Sequence, residues 1–194
     1  MTRRLAGIAA ALALCSPAVA QVPPAWHTYT DAKRGVSISY PDGWTVDPNF
    51  RDLGYGFHQG DADDYRDGLA LRPTGDIAPG TNLESDQLVI AVETARPADS
   101  CVAHAFLVDP PPDVPTDTPV DKPDVVRTIA QPGDRYIVEH FVVVASHTPC
   151  IAVHYFVNSA RLSRGDGKKP FDEAALIAYL NHITETLKSL SPSP

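Results

Sequence analysis

Most of the features that announce a chemistry are missing from this sequence. There is no G-x-S-x-G elbow for a nucleophilic serine, no C-x-x-C pair, no H-E-x-x-H zinc helix and no P-loop. Gly54 and Gly56 begin a glycine-rich stretch, but Gln59 stands where a dinucleotide loop needs its third glycine. Basic residues are outnumbered, with 16 Lys and Arg against 24 Asp and Glu. An acidic surface argues against nucleic acid and against anionic membranes, because counterion release needs Lys and Arg. It permits a cationic partner without requiring one, and serves solubility in any case. Beyond the amino terminus no run approaches the roughly 18 apolar residues of a membrane span.

The amino terminus is what the chain does announce. Arg3 and Arg4 precede an apolar run from Leu5 to Leu14, and Ala18-Val19-Ala20 supplies small residues before Gln21. Charge, apolar run and small-residue site are the three parts of a secretory signal. The run is about half the length a bilayer-spanning helix needs. Cys15 follows Leu14, where a lipoprotein signal wants a small residue, so cleavage after Ala20 is preferred to acylation of Cys15. Arg3-Arg4 also fits a twin-arginine signal poorly, because Ala6 and Gly7 follow instead of bulky apolar residues. Residues 1–20 are therefore expected to be removed and 21–194 to form a single domain that is periplasmic or secreted. Losing Arg3 and Arg4 and no acid moves the formal charge from −8 to −10. Two cysteines remain, Cys101 and Cys150. Export exposes them to an oxidising compartment, so a disulfide between them is predicted. It would close a loop of about 50 residues, worth on the order of 4 kcal/mol in the chain-entropy model.

Strand patterns dominate the mature chain. Val36, Ile38 and Tyr40 alternate with Ser37 and Ser39, as in a half-buried strand. Trp26 to Thr30 reads as its partner across a turn at 31–35. Pro41-Asp42-Gly43 is a second turn, after which Trp44 to Val46 resumes extended chain. Residues 51–67 read as a polar loop around a short strand near Tyr55. Further strands are predicted at Gly68 to Arg72, Leu88 to Glu93 and, more weakly patterned, Cys101 to Val108. Six prolines between Asp109 and Asp124 can neither donate to a ladder nor continue a helix, so 109–124 is expected to be a long exposed loop. Arg135 to Ala145 and Cys150 to Asn158 are apolar on nearly every residue and flank a short turn. They are expected to form a central hairpin covered on both faces. Asp172 is a good N-cap, and Leu176, Tyr179, Leu180, Ile183, Leu187 and Leu190 share one helical face, which predicts a carboxy-terminal helix ending at Ser191. The class is α+β: a mostly antiparallel sheet with helix packed across it.

Three groups of residues invite a chemical reading. Asp61, Asp63, Asp64 and Asp67 before Gly68 suggest calcium, but Tyr65 occupies the third ligand position and no downstream Glu closes the loop, so a solvated acidic loop is preferred. His104, His140 and His154 all lie on apolar strands. If Ala145 pairs with Cys150, His154 lies opposite Phe141 and His140 opposite Tyr155, which puts the two histidines on opposite faces. Only a one-residue slip would bring them together. Separate histidines, with no metal and no cofactor, are therefore expected. Thr81-Asn82-Leu83 with Asp86 could form a small polar site at a loop. The preferred reading is that Asn82 and Asp86 bond the backbone and fix that loop.

Two stretches carry a likeness. Tyr29 to Trp44, ending Tyr-Pro-Asp-Gly-Trp, is similar to the opening of PsbP-like and Mog1-like domains. The order Thr81-Asn82-Leu83-x-x-Asp86, Cys101, Cys150-Ile151-Ala152-Val153 and Phe171-Asp172-x-Ala174-Ala175-Leu176 resembles a group of exported proteobacterial periplasmic or lipoprotein-type proteins. The resemblance implies an α-β-α sandwich with flanking helices and no particular activity; PsbP itself assists the oxygen-evolving complex without catalysis. Residues 58–67 and the proline loop depart from the group's pattern. The reading that follows is a non-catalytic cell-envelope protein binding a small-molecule or protein partner, with no nucleic acid. The second reading is a hydrolase of no recognisable motif.

Overall fold

The alternation of Val36 and Ile38 with serines becomes one face of a small sheet. In the computed structural model, which describes residues 24–50, 68–94, 125–130, 135–144 and 151–190, strand β1 (Trp26–Asp31) pairs antiparallel with β2 (Val36–Pro41). Val36 and Ile38 are buried while the serines between them are half-buried, as period 2 requires. The connecting turn is closed by Asp31, whose carboxylate accepts from the Arg34 backbone N–H at 3.1 Å and pairs with the buried Arg34 guanidinium. At Asp42-Gly43 the chain leaves this sheet. Gly43 has φ 82°, open to a residue without Cβ, and its carbonyl accepts from the Thr74 N–H at 2.7 Å.

The second sheet has six strands. In spatial order they are β3 (Trp44–Phe50), β4 (Gly68–Pro73), β5 (Val89–Thr94), β8 (Ile151–Ala160), β7 (Arg135–Val144) and β6 (Val125–Ala130), every neighbouring pair antiparallel. Pro48 is tolerated because β3 is an edge strand and its register breaks between Asp47 and Phe50. Gly68 is required by close approach, since a Cβ there would sit 2.9 Å from the Val92 carbonyl oxygen. The central hairpin takes the predicted register, with Phe141 opposite His154 and His140 opposite Tyr155. Strand β6 was not foreseen in the sequence; the apolar pattern there is short and follows directly on the prolines.

Helix α1 (Glu173–Thr184) starts where predicted, with the Asp172 carboxylate accepting from the Ala175 N–H at 3.0 Å. It does not run to Leu190. The chain leaves the helix at Glu185, and Lys188–Ser189 forms β9, paired with Val36 and Ser37 of β2. Thr186 directs this exit: its hydroxyl donates to a backbone carbonyl, with the Ile183 and Ser39 oxygens at 2.6 and 3.0 Å, and accepts from the Ser39 N–H. Strand pairing with β2 supplies partners that a longer helix would not, and it overrides the helical spacing of Leu187 and Leu190.

Leu176, Leu180 and Ile183 of α1 meet Val36 and Ile38 of β2 and one face of the large sheet, including Leu69, Ile90, Val153 and Val157, in one apolar core. The Tyr155 hydroxyl adds polar anchors on that face, lying 2.9 Å from Asn181 Oδ1 and 2.6 Å from the Thr184 hydroxyl. The result is α+β, with a mostly antiparallel sheet and, among the described residues, one α-helix against it. No helix among those residues is long and apolar enough to cross a membrane.

Candidate functional site

Asn82 organises one end of the molecule. Its side-chain amide donates to the Ala160 carbonyl at 2.8 Å, and its side-chain oxygen accepts from the Phe171 N–H at 3.1 Å. Its own backbone bonds Lys169 O and Ala160 N. One residue thus ties a loop to the end of β8 and to the approach of α1, 89 positions along the chain. The rest of the loop is stitched locally. The Thr81 hydroxyl donates to Ala78 O, the Ser85 hydroxyl donates to Asp76 Oδ1, and the Ile77 N–H donates back to the Ser85 oxygen. Asp86 is exposed and has no hydrogen-bond partner among the described residues. The loop is therefore fixed by Asn82, as the sequence suggested, but not by Asp86.

Because Asn82 points to the backbone of its neighbours, Thr81 and Leu83 point the other way, into a cleft of about 720 Å³. Ile77 and Leu83 wall it on the loop side and Phe171, Leu176 and Tyr179 on the helix side, with Ala175 between. The far wall is braced by Trp44, whose indole N–H donates to the Tyr179 hydroxyl at 3.0 Å. Lys169 and Asp172 are the charged side chains that line it. Asp172 is engaged as the helix cap. This volume lies within the range of about 300–1,000 Å³ typical of small-molecule sites, as does a mostly apolar lining with a few polar groups.

A second constellation lies on the other face of the large sheet. Glu93 of β5, His154 of β8 and Glu139 of β7 project from three adjacent strands, all at least 97% buried. His154 Nδ1 is 2.7 Å from Glu139 Oε1, and Nε2 is 3.4 Å from Glu93 Oε2. The ring stacks on Phe156 at 5.7 Å. Burial by itself would lower the imidazole pKa, but the Glu93 charge and the bonds to Glu139 and Glu93 outweigh it and raise the value from 6.5 to about 9. The carboxylates take opposite ring nitrogens, so the three groups do not converge on one point. Among the described residues no group of three or more His, Cys, Asp or Glu is placed to hold a metal ion. His140 is on the helix face, its Nε2 3.3 Å from Glu173 Oε1 at the start of α1. The structure thus keeps the two histidines apart, in the register expected.

Sequence reading singled out His154 and missed both glutamates. The available signal was an acid inside an apolar strand, at a position whose neighbours two residues away, Ala91 and Ile137, are buried. Cys101, Cys150, His104, the acidic residues 61–67 and the proline-rich 109–124 lie outside the described residues. Comparison of the chain with protein-family models, with curated proteins and with solved structures gives no match.

Proposed function

We propose that this is an exported, non-catalytic cell-envelope protein whose work is binding, with the cleft between the Asn82 loop and the start of α1 as its ligand site. The observation that carries the reading is the cleft itself: about 720 Å³, walled by apolar side chains and flanked by a loop that Asn82 ties to the end of β8 and to the approach of α1. A site whose walls are already fixed loses little freedom on binding. A hydrolase is the weaker reading, because His154, the histidine with the strongest partners, is buried on the opposite face of the sheet from the cleft. We assign the fold to the PsbP-like and Mog1-like α-β-α sandwiches on the strength of the β1–β2 hairpin leading into Tyr40-Pro41-Asp42-Gly43-Trp44. The export signal at 1–20 and the Cys101–Cys150 disulfide belong to the same proposal.

One preparation tests all of it. Protein secreted to a bacterial periplasm should begin at Gln21 and show no free thiol under denaturing, non-reducing mass spectrometry. Under native conditions it should carry a small-molecule adduct that an Ala175→Trp variant, filling the cleft from an exposed position, does not retain. A folded protein that never carries such an adduct, and binds no apolar probe at the cleft, would remove the binding reading.

A further inference from the structure

The mature chain is strongly acidic, yet one exposed segment reverses the sign. Between Arg161 and Lys169 it carries Arg161, Arg164, Lys168 and Lys169 against one acid, Asp166. All nine residues of the segment are exposed. The Asp166 carboxylate is taken up within the loop, accepting from the Ser163 and Lys168 N–H groups at 2.9 Å each. The segment begins next to Ala160, which Asn82 holds, and ends at Lys169 on the cleft. Its end is anchored, since Lys169 N–H donates to the Gly80 carbonyl and its carbonyl accepts from the Asn82 N–H. The Lys169 ammonium has no ion-pair partner among the described residues, whereas the other charged lining group, Asp172, is committed to the helix cap.

We infer that the cleft takes an amphiphile with a single apolar chain and an anionic head, the chain lying between Leu83, Phe171 and Tyr179 and the head at Lys169. This rests on the binding role proposed for the cleft and adds the charge of the ligand. The apolar walls match a hydrocarbon body, and the basic segment matches a negative group on a protein whose overall charge would otherwise repel it. A cleft of this volume fits one short acyl chain and is too small for an extended protein surface.

The test is titration of ¹⁵N-labelled mature protein with decanoate, decanol and decyltrimethylammonium, followed by NMR. Decanoate should bind tightest, shifting the amides of Thr81, Leu83 and Ala175. Lys169→Glu should weaken decanoate roughly tenfold, the scale of one charge contact at a partly exposed site. Lys168→Glu, at a residue facing a neighbouring depression instead of the cleft, should weaken it less. If all three probes bind the cleft equally and Lys169→Glu changes nothing, the anionic head is wrong while the binding role survives. If none perturbs the cleft, both fail. If phosphatidylglycerol vesicles bind the protein and monomeric decanoate does not, the partner is a membrane surface and the inference is overturned.

Discussion

Strand β8 turns Ile151, Val153, Tyr155 and Val157 toward the helix and Ala152, His154, Phe156 and Asn158 to the other side, and all eight are buried. On the first face burial is the stabilising force, at about 25 cal/mol for each Å² of apolar surface removed from water. On the second face Phe156 gains in the same way within a smaller apolar cluster, but for the polar side chains burial is a liability. A charged imidazole and two carboxylates out of water cost several kcal/mol each unless they satisfy one another. Glu139 does this for His154 by a hydrogen bond at 2.7 Å and Glu93 by its charge, 3.4 Å from Nε2, and Asn158 does the like by donating to Gln87 O at 2.9 Å. Equal burial therefore conceals two kinds of sensitivity. The apolar side chains of the first face should respond to lost volume and not to protons. The polar face should respond to lost partners and to protons.

The largest expected effect breaks the polar face. Glu139→Leu removes the shorter of the two contacts to His154 and should cost about 3–5 kcal/mol near neutral pH, read as a lower urea midpoint. A change below about 1 kcal/mol would show that the cluster does not bear on stability. On the apolar face, Leu180→Ala should cost about 2–5 kcal/mol, with the same loss at pH 6 and pH 9.5.

Protons sharpen the contrast in the unmodified protein. The folded His154 pKa, about 9, lies above the unfolded value of 6.5. The protonated form is thus the one folding favours. Its contribution is complete below pH 6.5 and is lost as pH rises through about 9, with a total on the order of 3 kcal/mol. Urea midpoints should fall across that window, and Glu139→Leu should flatten the fall. A midpoint that rises from pH 7 to 9.5 would reverse the assignment. The smallest effect is at the cleft. Asn82→Ala leaves the Ala160 carbonyl and the Phe171 N–H without their partner and should cost about 1–3 kcal/mol, with the amide shifts concentrated at 81–83 and 169–171.

Much of this architecture is legible along the chain, wherever the controlling contacts are local. The β7–β8 register follows from two apolar runs close together in the sequence, since a one-residue slip would turn every side chain to the wrong face. Asp172 caps a helix three residues before the N–H it accepts from, and the Tyr40–Trp44 turn follows from proline and glycine at neighbouring positions. Asn82 could be read as a loop-fixing residue because short amides bond nearby backbone.

What local pattern could not decide was partnership over distance. Glu93 and His154 are 61 residues apart, and they meet only because β5 pairs with β8 instead of another strand. The helix ends at Thr184 because β2, near the other end of the chain, offers Ser39 and Val36 as partners, and no periodicity in Leu187 and Leu190 records that offer. The cleft is likewise made between the 77–83 loop and residues 169–179, which Asn82 ties together through its bonds to Lys169 and Phe171. Composition and spacing determine which residues want burial, caps and turns, because those preferences act within a few residues. Which buried acid meets which base, and where a cavity is left between them, is settled only when the sheet order closes.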